Sequence, residues 1–402
     1  MQGKNREQTN YPIPGSHRWR SRPLRPGDWV EVCSFEEIAA TLDERGELDN
    51  LPFMPEMLPY CGRRFEVAKR ANKTCDEAAG GAIRKLKDTV HLKEVRCGGE
   101  AHGGCDAGCL MFWKEQWLRR LPGDRIERRH PRGEGKRALY LDEQQCSRRM
   151  LETIDRETRY RNGRGETGKE LFSCQSTEVS RFSKPLPWWD LRQYAGDFCT
   201  GNVPIGEFFS GLLIGMYNKV QDVLGGAMFG FVSGANVKTP YTRLDLAPGD
   251  LVQVKSKSEV VSTLDSRGKN RGLSFPPVMV PYCGRQFRVL RRVMNVINPR
   301  TRELVSMGGK CVILDGVVCS GKIKRFCPRM VYQYWRDIWL TKVEEPDCVD
   351  VRGENPAGER AAVAAQAALF AQASAPGNRA SLDRTRDDIR TKRSAEPSTE
   401  TS

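Results

Sequence analysis

Apolar and polar positions alternate from Trp29 onward. After the turn residues Pro26-Gly27-Asp28, Val30 and Val32 flank Glu31, which predicts a half-buried strand. Ser34 is followed three residues later by Glu37, the signature of a capping box opening a short helix over FEEIAATL. Prolines 52, 55 and 59 hold the next stretch extended, because a residue before proline avoids the helical region. Phe65 and Val67 then alternate with Arg64, Glu66 and Ala68, a second strand with one wet face. Leu110, Trp113 and Trp117 fall at helical spacing, with Lys114, Glu115 and Arg119 turned outward. That spacing predicts an amphipathic helix whose aromatic stripe is core.

The whole pattern returns 222 residues later without a gap. Pro26-Gly27-Asp28 becomes Pro248-Gly249-Asp250, Val30 and Val32 become Val252 and Val254, and Ser34 and Glu37 become Ser256 and Glu259. Tyr60-Cys61-Gly62-Arg63 becomes Tyr282-Cys283-Gly284-Arg285, and Trp113 and Trp117 become Trp335 and Trp339. One offset serving from Pro26 to Leu118 implies an internal duplication. The expected class is α+β: tandem small β-barrels of SH3-like pattern, each closed by its C-terminal amphipathic helix. Residues 24–122 form the first barrel and 246–345 the second. Residues 123–245 form a charged and helical connector, with helices over Leu191–Phe198 and Ile205–Leu224 that dock on the barrels. Residues 1–23 and 346–402 are polar and expected to be disordered.

Charge and cysteine content change this picture in two ways. The 402 residues carry a net charge of +14, which suits an acidic partner such as nucleic acid. The basic strand ends, Arg63, Arg64, Lys69 and Arg70 with Arg285, Arg288, Arg291 and Arg292, are the candidate contacts, against the plainer reading of a solvated sheet face. Fourteen cysteines are many for a chain whose start shows no apolar leader. The expected compartment is the cytoplasm, with reduced thiols. Ile205–Leu224 is interrupted by polar residues and reads as a buried helix rather than a membrane span.

Chemistry-bearing residues crowd together in one stretch. Cys97, His102, Cys105 and Cys109 read C-x4-H-x2-C-x3-C, with glycines at 98, 99, 103, 104 and 108 that let a loop fold back on an ion. Cys105 and Cys109 share a helix face if the closing helix has begun. The second copy keeps Cys319 and Cys327 but puts Lys324 and Val331 at the other two places, so one metal is expected per chain, in the first copy. Zinc suits the donor set, with an iron–sulfur cluster as the minor option. Cys75 and His91 are substitute ligands, replaced by Ile297 and Ile313 in the second copy. The plain alternative is a set of small buried thiols beside a loop histidine. Cys61 and Cys283 read as core thiols. Glu94, Glu100 and Asp106 stand near enough to be bases, but no phosphate loop, Ser-His-Asp order or HExxH is present.

The combination PGDWVEV, LPYCGRRF, KTCD, HGGC and FWKEQWL resembles a group of bacterial hypothetical proteins. The likeness covers the first unit well and the second more weakly. That group has no established activity, so the resemblance implies no catalytic residues. Two function classes follow. The first is a non-catalytic binding or scaffold protein with a structural zinc. The second is a metal- or thiol-dependent enzyme or biosynthetic accessory using the Cys97/His102/Cys105/Cys109 cluster. Four protein ligands favour the first, three plus water the second.

Overall fold

The computed structural model describes residues 22–121, 140–161, 163 and 168–344. The expected disorder of both ends, and the charged run after Asp124, lie outside the described residues.

Two five-stranded antiparallel sheets are built to one plan. The first runs Trp113–Lys114, Thr89–Leu92, Arg64–Arg70, Trp29–Val32, Leu118–Arg120. The second runs Tyr332–Arg336, Leu304–Val318, Gln286–Ile297, Leu251–Val254, Leu340–Lys342. Registers correspond at the 222-residue offset: Val30 faces Phe65 and Arg120, while Val252 faces Phe287 and Lys342. Inward valines make the cores. Val30, Val32, Val252 and Val254 are fully buried. Both short helices carry the expected capping box, in which Ser34 Oγ accepts from the Glu37 amide and Glu37 accepts from the Ser34 amide at 2.9 Å, repeated at Ser256 and Glu259.

Two expectations about closure are corrected. Neither sheet closes into a barrel among the described residues. The expected closing helix is a strand, one 3-10 turn over Glu115–Trp117 and a second strand. A four-residue spacing also fits an edge strand that turns once and crosses to the opposite edge, and aromatic residues favour extended backbone. The two tryptophans therefore reach the core from different elements. Both pack edge-on to Phe53, at 6.4 and 5.5 Å between ring centres, and Trp335 and Trp339 do the same to Phe275.

The connector supplies helices over Tyr140–Arg161, Arg192–Thr200 and Ile205–Leu224. Ile154 of the first enters the first core. The second is tied down by a buried ion pair between Lys73 and Asp197. The third rests Gly211 and Phe208 on Phe326, with the two phenyl rings stacked at 5.5 Å. It is not the buried helix the sequence suggested: Phe209, Leu213, Met216 and Val220 are exposed. Among the described residues, no helix is long and apolar enough to cross a membrane.

Candidate metal centre

The residues before Cys97 and after Cys109 are held together like strand ends. Arg96 bridges Leu110, and the Cys97 amide donates to Cys109 O at 2.9 Å. Between them the chain turns back at Gly99, whose φ is 83° and where a Cβ would fall 2.1 Å from Cys105 O. A short 3-10 turn, Glu100–His102, follows. Cys105 and Cys109 lie in loop, not on one helix face as their spacing suggested.

This loop folds over the 3-10 segment Pro55–Tyr60 and carries His102 to Glu56. His102 Nδ1 donates to Glu56 Oε1 at 2.6 Å, and the Ala101 amide donates to the same oxygen at 3.0 Å. Burial works to raise the Glu56 carboxyl, but the His102 hydrogen bond and charge overcome it and hold the group below its ordinary value. The far nitrogen, His102 Nε2, is buried without a partner, as is Glu56 Oε2. A ring fixed at Nδ1 by a carboxylate, with Nε2 left free, is the arrangement that orients histidine toward a metal. Ligand atoms of Glu56, Cys97 and His102 lie within 4.8 Å of one another.

A cavity of about 30 Å³ adjoins that group, room for one ion or water. Its wall includes Cys97, His102, Cys105, Cys109 and Cys174. All four predicted ligands therefore meet one space. Cys105, Cys109 and Cys174 nevertheless stand outside the 4.8 Å group, and among the described residues no other such group forms. Burial pushes the thiols of Cys97 and Cys105 up, and that of Cys174 up to about 12, so without a metal these three are protonated at neutral pH.

The two substitute ligands sit elsewhere. His91 is in the first core, its Nδ1 donating to Met111 O at 3.0 Å and its ring 4.7 Å from that of Phe112. Burial depresses it to about 4. Because that is below the ordinary 6.5, His91 favours the fold fully above pH 6.5 and progressively less as pH falls toward 4. The loss is about 3 kcal/mol at most. Urea unfolding at pH 7 and pH 4.5 should show this slope, and His91→Ile, the residue of the second copy, should flatten it. Cys75 instead meets Cys327. Its amide lies 3.1 Å from Cys327 Sγ, and the paired thiol lowers Cys75 to about 6. The same contact is made in reverse by the Ile297 amide, 3.5 Å from Cys105 Sγ, so each copy lends a strand end to the other's loop.

Three residues of the site were not foreseen. Glu56 had a readable signal: in the second copy its place is Val278, so carboxylate and histidine are lost together. Cys174 comes from the connector and has no repeat partner to betray it. Its neighbour Gln175 clamps the connector onto the first sheet, accepting from the Phe112 amide at 2.8 Å and donating to Pro52 O at 2.9 Å. Arg329, where the first copy has Ala107, is fully buried in the cavity wall and donates to Cys75 O and Ser176 Oγ. Burial alone weakens its charge, but the negative charge of Glu77, with that of Cys109, Cys75 and Cys327 when ionised, more than restores it.

The basic strand ends are largely taken up by the fold. Arg70 pairs with Glu115, Arg64 with Glu31 and Arg292 with Asp337, while Lys69 and Arg291 donate to Asn202 O and Asp106 O. Arg288 donates to Gly249 O at 2.9 Å. Arg63 and Arg285 are exposed, the latter over the Phe287 ring. Asp106 is spent as well, its Oδ2 accepting from the Met294 amide at 2.8 Å. No protein-family model, no curated protein and no solved structure matches this chain.

Proposed function

We propose that this chain is a non-catalytic scaffold of two duplicated, SH3-like modules, locked together by one structural zinc. The observation that carries the reading is the unpartnered, buried His102 Nε2, on a ring held at Nδ1 by Glu56 in the wall of a cavity lined with thiols. Zinc would take His102 Nε2 and the thiolates of Cys97, Cys105 and Cys109, all four residues lining the one cavity. Glu56 would act as the orienting carboxylate, since its Oε1 already holds the imidazole. Three thiolates and one imidazole around a divalent ion leave one net negative charge, and Arg329 is the cation in the wall that balances it.

The cavity's position supports a joint rather than an active centre. Its wall takes Cys97, His102, Cys105 and Cys109 with their neighbours from the first module, Cys174, Gln175 and Ser176 from the connector, and Ile297 and Arg329 from the second module. A space of about 30 Å³ admits an ion and no organic substrate. The loop also has its own control. The second copy folds the same way, with Cys319 N bonded to Val331 O at 2.8 Å and Gly321 at a φ of 75°, yet holds Lys324 and Val331 at two ligand places. Elemental analysis of the full-length protein, purified without chelator, should find close to one zinc per chain. Cys109→Ser should lower that content and Cys319→Ser should not. Metal-free protein, or equal loss in both variants, would refute the reading.

A further inference from the structure

A second cavity, of about 500 Å³, opens on the second module between Lys238, Thr239, Arg271, Lys310 and Arg336, with Val237 at its rim. Four of these six side chains are cationic and none is acidic. Arg336 is the buried one of the four. It is only 8% exposed, its Nη2 donates to Arg271 O at 3.0 Å, and its Nε is buried without a partner. Among the described residues no carboxylate pairs with Arg336, Arg271, Lys310 or Lys238. A guanidinium taken out of water without a counter-ion is costly, so the fold keeps one here against its own stability.

The first module shows what a self-sufficient version of this corner looks like. The residues 222 positions earlier are Asp49, Asp88 and Lys114. There Lys114, also buried, is neutralised inside the chain, its Nζ 2.8 Å from Asp49 Oδ2. Asp88 stands 3.8 Å from Arg70. The backbone is the same at the turn: Asp49 has a φ of 52° and Arg271 a φ of 46°. At two matched positions the second module has put a base where the first has an acid, and has kept the buried cation between them. The internal counter-ion has been removed and the surroundings made more positive, which is the change that prepares a site for an external anion.

We infer that the Lys238/Arg271/Lys310/Arg336 cavity binds a phosphate-class oxyanion, carried by a molecule of pyrophosphate or nucleotide size. The buried Arg336 guanidinium, whose Nη2 is already shared with Arg271 O, carries a fixed positive charge and further N–H donors for a phosphate group. Lys310 and Lys238 supply point charges at the rim, and Arg271 is braced over the Tyr241 ring at 5.2 Å. The volume exceeds what inorganic phosphate fills, leaving space for a second phosphate or an ester group.

Inorganic pyrophosphate titrated into the full-length protein at low salt should bind with a heat signal that weakens as salt is raised. The test variant is Arg271→Asp with Lys310→Asp, which installs the carboxylates the first module already tolerates at these places and so keeps the fold. Each lost charge-assisted bond costs affinity, and roughly ten-fold weaker binding or more is expected in that variant and in Arg336→Met. Pyrophosphate binding equal to wild type in both variants, or none at low salt in the wild type, would overturn the inference. A single-stranded oligonucleotide that competes with pyrophosphate, and loses affinity in the same variants, would identify the phosphate source as a nucleic-acid backbone. Failure to compete would identify a small phosphate ester. The metal content is untouched by these variants, so the outcome is separable from that of the zinc reading.

Discussion

Stripping the proposed zinc from the full-length protein should lower its melting temperature by on the order of 10 °C. A ligand held a thousand-fold above its dissociation constant stabilises by about 4 kcal/mol, and each kcal/mol moves the transition of a large domain by a few degrees. The effect is expected to be large because the ion would tie three parts of the chain at one point, adding to the hydrogen bonds that already join them. His102→Ala should remove the response to chelator altogether, since Nε2 is the ligand whose direction is already fixed. Glu56→Gln should retain the metal but weaken it by roughly 10- to 100-fold, the usual cost of losing an orienting carboxylate. Cys327→Ser should leave the response intact, because the second loop has Lys324 and Val331 where the first has His102 and Cys109. Thiols raised by burial must lose their protons to bind, so uptake should also fall as pH is lowered. Differential scanning calorimetry with and without chelator decides the matter. An unchanged transition in the wild type would leave the cluster as a set of packed thiols.

How much of this was legible in the chain depended on range. Strand positions were readable because alternation is local, and the capping boxes because three residues suffice to make one. The offset of 222 carried the plan from one sheet to the other, and it marked His102 and Cys109 as the residues that differ. The closing segment is ambiguous in sequence because Trp113 and Trp117 sit four apart in any conformation, and only the sheet edges decide which conformation wins. Cys174 and Arg329 were invisible for another reason. They reach the cavity from 65 or more residues away in sequence, through contacts that no pattern of spacing records. Glu56 lay between. The repeat shows that it differs from Val278, but only the fold shows that it is the partner of His102.

Breaking the buried pair of Lys73 and Asp197 should destabilise the fold strongly and in a pH-dependent way. Both side chains are essentially inaccessible, and they pin the helix Arg192–Thr200 to the hairpin strand Lys73–Asp76. Lys73 is further enclosed by the rings of Tyr194 and Phe326, at 5.4 and 5.8 Å, so it also touches the second module. Burial works against both charges. It lowers Lys73 and pushes Asp197 up to about 6, even with the partner's charge pulling the other way. Lys73→Met removes that opposing charge and strands a carboxylate, at a cost of about 3–5 kcal/mol at neutral pH. The sign of the pH dependence separates this from simple misfolding. Asp197 in the variant has a folded value above its unfolded 3.8, so its neutral form fits the fold below that pH and is lost as pH rises through the folded value. The deficit of Lys73→Met should therefore be largest at pH 7 and shrink toward pH 4. The double variant Lys73→Met with Asp197→Leu should recover most of the loss, because an apolar pair of similar volume has no charge to desolvate. Urea titrations of the three proteins at pH 7 and pH 4.5 measure all of this. A double variant no more stable than Lys73→Met would mean that the pair holds the helix by its charges rather than merely occupying the space between them.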